Sequence, residues 1–310
     1  MSSPPSVRIG ARGSPLSLAQ TGLVRDALAA ANPGRTFEIV PIVTSGDRSQ
    51  DRRLQDAGGK GLFTKELDEA MLGGRIELAV HSMKDLPTQL PDDIVLAGVP
   101  PREDPRDALI CAVDAHSLRD LPERSRIGTA SLRRQAQLLS LRPSFRISML
   151  RGNVETRLRK VAEGEVDATL LAYSGLRRLG LERHAKVLLD PDESPPAGGQ
   201  GALAITARRG DEAMAAVLAP VEDLATRLEI TAERAFLAAL DGSCRTPIAA
   251  LGRWSQGVMR FIGETLTPDG AECWRRTAQE PCATEAAAAL LGERLGHSIR
   301  AEAGDRLYRE

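Results

Sequence analysis

Twice along this chain a helical stretch stops at a glycine and turns at once into an apolar strand. From Leu67 to Val80 the order is helix, Gly74-Arg75-Ile76-Glu77, strand; from Leu158 to Ala172 it is helix, Gly164-Glu165-Val166-Asp167, strand. A unit used twice implies two similar α/β lobes. Strand and helix signals also alternate through the first two thirds of the chain, as mostly parallel sheets require. Parallel strands open at their C-terminal ends into the crevice where ligands bind. Two such lobes facing each other leave an interlobe cleft lined by those loops.

At 310 residues the chain is long enough for two or three domains. Val7-Arg8-Ile9 is the first strand; Ser14 and Pro15 then open a helix that Asn32-Pro33-Gly34 ends. Val99-Pro100-Pro101-Arg102-Glu103-Asp104-Pro105 and Ser194-Pro195-Pro196-Ala197-Gly198-Gly199-Gln200-Gly201 are proline-rich crossings between lobes. After the second, Ala202 to Thr206 is a strand returning to the first lobe, which makes the crossings a hinge pair. The predicted domains are therefore 1–100 with 200–218, then 101–199, then a small C-terminal α+β domain over 219–310. That last part reads as a helix near Glu222 to Leu240, strands at Ile248 to Leu251, Val258 to Ile262 and Cys273 to Arg276, and a helix from Thr284 to about Leu295.

Composition excludes several classes of function. The formal net charge is −1 and aromatics are 3% of residues, so neither a global basic field nor stacking platforms recruit nucleic acid. The first residues, Met1 to Ser6, have no basic or apolar region of a leader, and no run approaches membrane-spanning length. These features predict a cytoplasmic protein with no membrane or nucleic-acid partner. Cys111, Cys244, Cys273 and Cys282 form no C-x-x-C pair, so neither disulfides nor a metal site is expected.

Chemistry concentrates at strand ends. Ile76 to Val80 is apolar and runs into His81-Ser82-Met83-Lys84-Asp85-Leu86-Pro87, where Asp85 is the one carboxylate after the strand and Lys84 stands beside it. Spacing alone favours a solvated strand end with a Lys-Asp couple. Arginines recur where strands give way to helices: at Arg12, in Ile127-Gly128-Thr129-Ala130-Ser131-Leu132-Arg133-Arg134, and in Leu150-Arg151-Gly152-Asn153-Val154-Glu155-Thr156-Arg157. Helix N-termini offer free N–H groups and a positive dipole end, so added arginine builds an anion site. Each charged hydrogen bond to a carboxylate is worth roughly 1.5–3 kcal/mol. At any single turn, Ser14, Thr129 and Ser131 could merely cap helices; three repetitions favour a site. Gly58-Gly59-Lys60-Gly61 lacks the serine or threonine that a phosphate loop needs after its lysine, so nucleotide binding is rejected. In Asp241-Gly242-Ser243-Cys244-Arg245-Thr246-Pro247 a thiol lies in a glycine- and proline-bounded loop next to arginine, a setting that favours the thiolate. Cys111, Cys273 and Cys282 are expected to be inert core residues.

Together these residues resemble the porphobilinogen deaminase (hydroxymethylbilane synthase) family, from Arg8 to about Ile248. The motifs are Arg12-Gly13-Ser14-Pro15-Leu16, Gly58-Gly59-Lys60-Gly61-Leu62-Phe63, His81-Ser82-Met83-Lys84-Asp85, Arg102-Glu103-Asp104-Pro105-Arg106-Asp107, Ser131-Leu132-Arg133-Arg134, Arg151-Gly152-Asn153-Val154, Gly199-Gln200-Gly201 and Gly242-Ser243-Cys244. The resemblance implies two lobes like those of type II solute-binding proteins and a third domain. It also implies a cytoplasmic, monomeric transferase of tetrapyrrole (haem) biosynthesis, which condenses four porphobilinogen molecules head to tail, releases ammonia and then releases hydroxymethylbilane. It further implies that Cys244 holds a dipyrromethane cofactor through a thioether and that Asp85 is the catalytic carboxylate. Lys84, Thr129, Ser131, Arg133, Arg134 and Asp85 would contact the cofactor, and Arg12, Ser14, Lys60, Phe63, Arg151, Arg157 and Gln200 the substrate. No metal is implied. A cofactor extended by four units carries about a dozen carboxylates, which arginine-tipped turns can neutralise. A buried Asp85 would stabilise the cationic azafulvene and relay protons. The chain departs from the family pattern at Asp56, where several relatives have lysine, and at Ala130, where many have serine.

Overall fold

The computed structural model describes residues 6–45, 64–240 and 246–308. Contacts divide the chain into two compact units, residues 1–103 with 202–227 and residues 104–201 with 228–310.

The first unit is built on a five-stranded sheet in the order β2-β1-β3-β10-β4. β1 (Val7–Arg12) runs parallel to β2 (Phe37–Ile42) and to β3 (Leu78–Ser82); β10 (Leu203–Arg208) runs antiparallel to β3 and to β4 (Ile94–Gly98). Helix α1 (Pro15–Ala31) starts because Ser14 caps it, its Oγ accepting from the Ser17 N–H at 3.3 Å, and because Pro15 needs no hydrogen bond at the first position. It buries Ser17, Gln20, Thr21, Val24 and Leu28 at helical spacing. Helix α2 (Lys65–Leu72) leads into β3.

The second unit repeats this topology in a sheet ordered β7-β6-β8-β5-β9. β6 (Arg126–Gly128) is parallel to β7 (Arg146–Ser148) and β8 (Ala168–Ala172), and β5 (Asp107–Cys111) is antiparallel to β8 and β9 (Val187–Leu188). Helices α3 (Leu132–Leu141), α4 (Val154–Ala162) and α5 (Tyr173–Arg178) connect them. The repeat seen in the sequence extends to atoms. Gly74 and Gly164 both adopt left-handed backbone, at φ +68° and +74°, which only glycine enters at no steric cost. Arg8 donates its backbone N–H to Glu77 at 2.8 Å and its guanidinium to the Gly74 carbonyl at 2.7 Å. Arg126 does the same to Asp167 at 2.6 Å and to Gly164 at 2.9 Å.

Two more helices, α6 (Glu212–Leu218) in the first unit and α7 (Leu224–Ala239), precede a three-stranded antiparallel sheet of β11 (Ile248–Ser255), β12 (Val258–Leu266) and β13 (Cys273–Pro281), with α8 (Glu285–Ala303) packed beside it. The strands run longer than the sequence reading because Gln256 and Gly257, at φ 51° and 81°, make a tight two-residue turn that lets both arms pair fully. Phe236, Phe261, Trp274, Leu291 and Ile299 form the core between sheet and helices. Where α8 meets α7, a Cβ added at Gly292 would lie 2.0 Å from the Ala232 carbonyl oxygen. Gly292→Ala must therefore separate two helix backbones. Overpacking outweighs the propensity gain of alanine, so a net loss of about 1–2 kcal/mol is expected, read as a lower urea midpoint at unchanged slope. Gly22 in α1 has open space around it, and Gly22→Ala is expected to stabilise by about 0.5–1 kcal/mol in the same assay.

Candidate functional site

In the first unit the predicted residues gather where β1 and β3 end side by side. β1 delivers half-buried Arg12, and the turn after it places Ser14 on the α1 N-terminus. β3 ends three residues before Asp85. The Met83 N–H to the Ala202 carbonyl, at 3.1 Å, extends the β3–β10 register by one pair; the chain then leaves the sheet as the Leu86 N–H returns to the Met83 carbonyl at 3.1 Å, closing one 3₁₀ turn over Met83–Asp85. Buried Met83 anchors that turn, and Lys84 and Asp85 stand exposed on it. The expectation of a buried Asp85 is thereby corrected: a single turn beyond a strand carries its side chain outward.

Neutral hydrogen bonds hold this turn. Gln20 of α1 exchanges hydrogen bonds with Ser82, at 2.9 Å from its amide nitrogen and 3.2 Å to its amide oxygen. One residue earlier, buried His81 lies 3.1 Å from the Thr206 hydroxyl of β10. Burial, reinforced by the nearby Arg12 charge, pushes the His81 imidazolium down to about 4, so the ring is neutral at physiological pH.

In the second unit the two arginine turns are capped by their own side chains. The Thr129 hydroxyl accepts from the Ser131 N–H at 3.1 Å, Ser131 caps α3 on the Arg134 N–H at 3.4 Å, and Asn153 caps α4 on the Thr156 N–H at 2.8 Å. Gly152, at φ +117°, turns the chain between Arg151 and that cap, and Arg157 Nε donates to its carbonyl at 2.9 Å. Arg133 and Arg134 are 5% and 6% exposed and converge on Asp107, itself 1% exposed at the start of β5. Arg134 Nη2 donates to Oδ1 at 2.7 Å, Gln200 Nε2 donates to the same oxygen at 2.8 Å, and Arg133 Nη1 lies 2.8 Å from Oδ2 in an ion pair without a directed hydrogen bond. Burial alone would raise the Asp107 carboxyl, but the two guanidinium charges and these donors hold it well below the usual carboxylate range. Two cations against one anion leave the cluster with a net positive charge. Asp107 belongs to the Arg102-to-Asp107 motif, yet nothing in the sequence marks it as the counter-ion of residues 26 and 27 positions away.

Lys60, Phe63 and Cys244 lie outside the described residues, as does Asp56. Of the other thiols, Cys111 and Cys282 are buried, whereas Cys273 is exposed on β13 and not in the core as expected. Local burial and the neighbouring Glu264 carboxylate push the Cys273 thiol up to about 11, so it stays protonated. Among the described residues no cluster of His, Cys, Asp or Glu could hold a metal ion, and no helix is long and apolar enough to cross a membrane.

Residues 7–216 match the family described as porphobilinogen deaminase, dipyromethane cofactor binding domain, and residues 227–301 match porphobilinogen deaminase, C-terminal domain. The porphobilinogen deaminase of Caulobacter sp. (strain K31) is 53% identical over 311 residues, 97% of each chain. That of Phenylobacterium zucineum (strain HLK1) is 51% identical over 318 residues, 98% of this chain and 99% of the relative. Among solved structures, the periplasmic aliphatic sulphonate binding protein SsuA from Escherichia coli has a TM-score of 0.42 at 17% identity, over 78% of this chain and 77% of that chain.

The neutral His81 sets a pH dependence. Its folded pKa is depressed, so its contribution is intact above the unfolded value of about 6.5 and is lost as pH falls from there to about 4, where only the unfolded chain binds the proton. The loss reaches about 3 kcal/mol at the acid end. Urea titrations from pH 7 to pH 4 are expected to show that slope in the wild type and a shallower one in His81→Gln; identical slopes would remove His81 as the cause.

Proposed function

The chain belongs to the porphobilinogen deaminase family, and from that premise we propose how its own residues carry out the family's reaction. It is a transferase of tetrapyrrole biosynthesis that joins four porphobilinogen molecules head to tail on a covalently bound dipyrromethane, releasing ammonia and finally hydroxymethylbilane. Dipyrromethane supplies, when bound, the pyrrole carbon from which the chain is extended. The residues present fit such a polycarboxylate: the Asp107 cluster keeps a net positive charge, and the buried Nε groups of Arg133 and Arg134 have no acceptor among the described residues.

The observation that carries the reading is the placement of Asp85 and Lys84 beside the Arg12–Ser14 turn, at the open ends of adjacent strands. Asp85 accepts the pyrrole N–H of the incoming substrate and stabilises the positive charge left when ammonia departs; the same carboxylate takes up and returns the proton at that nitrogen. Arg12, Ser14 and Lys84 in the first unit, and Thr129, Ser131, Arg133, Arg134, Arg151 and Arg157 in the second, bind acetate and propionate groups. Gln200 acts from behind, holding Asp107 so that the two arginines keep their orientation. Lys60 and Phe63 contribute to substrate binding from the segment before α2. Cys244 is the attachment point, supported by its glycine-bounded loop beside Arg245 and by the protonated or buried state of the other three thiols. The chain works as a monomer in the cytoplasm with no nucleic-acid or membrane partner, a reading supported by its net charge of −1 and its 3% aromatic content.

Cys244→Ala is expected to purify folded but without the added mass of two pyrrole units, while Cys111→Ala, Cys273→Ala and Cys282→Ala keep it; intact-protein mass spectrometry decides, and the mass persisting on Cys244→Ala would reject the attachment. Asp85→Asn is expected to retain the fold and to carry the cofactor when supplied with preformed product. Hydroxymethylbilane release should fall by about 10²–10⁴-fold. Near-normal release would leave Asp85 as a surface charge next to Lys84.

A further inference from the structure

Glu264 is a carboxylate 2% exposed near the end of β12, and the chemistry above makes no use of it. Its cross-strand neighbour is Arg275 of β13, whose Nε donates to Oε2 at 2.8 Å while its other nitrogens reach the carbonyls of Asp192 and Glu193 at 2.5 and 2.9 Å. Oε1 faces the other way, toward α3, and accepts from Gln137 Nε2 at 2.9 Å. A carboxylate can only accept, so it fixes which end of the Gln137 amide faces it; the Pro195 carbonyl, 3.0 Å from the same nitrogen, fixes it further. The amide oxygen is thereby turned to Arg133 Nη1, at 2.9 Å. An unbroken polar chain thus runs from Arg275 through Glu264 and Gln137 to the arginine that meets Asp107.

The hairpin grips the same helix by its backbone. Gln135 donates to the Pro268 carbonyl at 3.3 Å, and Gly270, at φ +72°, approaches α3 so closely that a Cβ there would lie 2.4 Å from the Ala136 carbonyl oxygen. The helix whose first turn carries Ser131, Arg133 and Arg134 is therefore held from the side by the C-terminal sheet.

We propose that Glu264 is a positioning residue for Arg133, acting through Gln137 to hold the guanidinium in the orientation that binds a cofactor or substrate carboxylate. The proposal rests on the reading of Arg133 as an anion-binding residue. Binding of that kind is shared by ground and transition states, so its loss appears chiefly in KM.

The test uses the full chain in its cofactor-loaded form, with KM and kcat for porphobilinogen, cofactor mass and thermal midpoint measured on each variant. Gln137→Leu and Glu264→Leu are each expected to raise KM about tenfold, the weight of one charge-assisted hydrogen bond. Glu264→Gln keeps an acceptor oxygen for Gln137 and should stay within about twofold of wild type. The double variant Gln137→Leu/Glu264→Leu should be no worse than either single change, since both cut one path. If Glu264→Leu fails to fold, Gln137→Leu and Glu264→Gln carry the comparison. Wild-type KM in Gln137→Leu beside a raised KM in Arg133→Leu would overturn the proposal alone, as would additive effects in the double variant or a lowered thermal midpoint with KM unchanged. Wild-type KM in Arg133→Leu would instead overturn the reading beneath it.

Discussion

The burial of Asp107 is the constraint on which the second unit's site depends. Removing an ion from water costs several kcal/mol even after relaxation, and here three are removed together. The cost is offset because Asp107 receives Arg134 and Gln200 as donors and Arg133 as a close charge, while Arg134 also donates to the Leu170 carbonyl of β8 at 2.8 Å. Asp107 and the arginine it holds therefore tie the start of β5, the first turn of α3, the middle of β8 and the segment before β10 to a common point. Deleting it would leave two guanidinium groups buried and unmatched, the situation that typically costs 3–5 kcal/mol. The arrangement is over-supplied with positive charge, and a group that brings negative charge completes it.

The first unit solves the opposite problem. The hydrogen bonds described at the Met83–Asp85 turn are neutral: Gln20 with Ser82, His81 with Thr206, and two backbone hydrogen bonds. The low His81 pKa keeps the imidazole among those neutral groups, since burial and the nearby Arg12 charge both oppose its protonation. Arg133 and Arg134 are thus anchored by charge, and the turn that carries Asp85 by hydrogen bonds between neutral groups.

Local signals in the sequence were informative wherever one residue determines a backbone state. Gly74 and Gly164 reveal the duplication because a left-handed φ follows from the missing Cβ, and Ser14 and Ser131 mark helix starts because capping is a local bond. Pairings across the chain were not legible. Arg8 finds Glu77 at a separation of 69 residues and Arg126 finds Asp167 at 41, and periodicity carries no information about such partners. For the same reason Arg133 and Arg134 stand out in the sequence as arginines at a helix start, while their sequestration by Asp107 does not. The exposure of Asp85 and of Cys273 is not legible in the sequence because each depends on where a strand stops or which face of a sheet is covered. Cys244, Lys60 and Phe63 rest on their motifs, since they fall outside the described residues.

The antiparallel strand β10 has a consequence for how the chain is made. It pairs with β3 along Leu203 to Ala207 and separates β3 from β4, yet it is synthesised only after the second lobe's sheet is complete in sequence. Until then β3, the strand that ends at the Asp85 turn, has an unpaired edge on that side. At about 5–20 residues per second the ribosome leaves that edge open for roughly 10 s, with Ser82 lacking the Leu203 partner it later faces. An open, apolar edge is an invitation to pair with another chain. A nascent chain therefore exposes the edge of β3 before its own partner strand has left the exit tunnel.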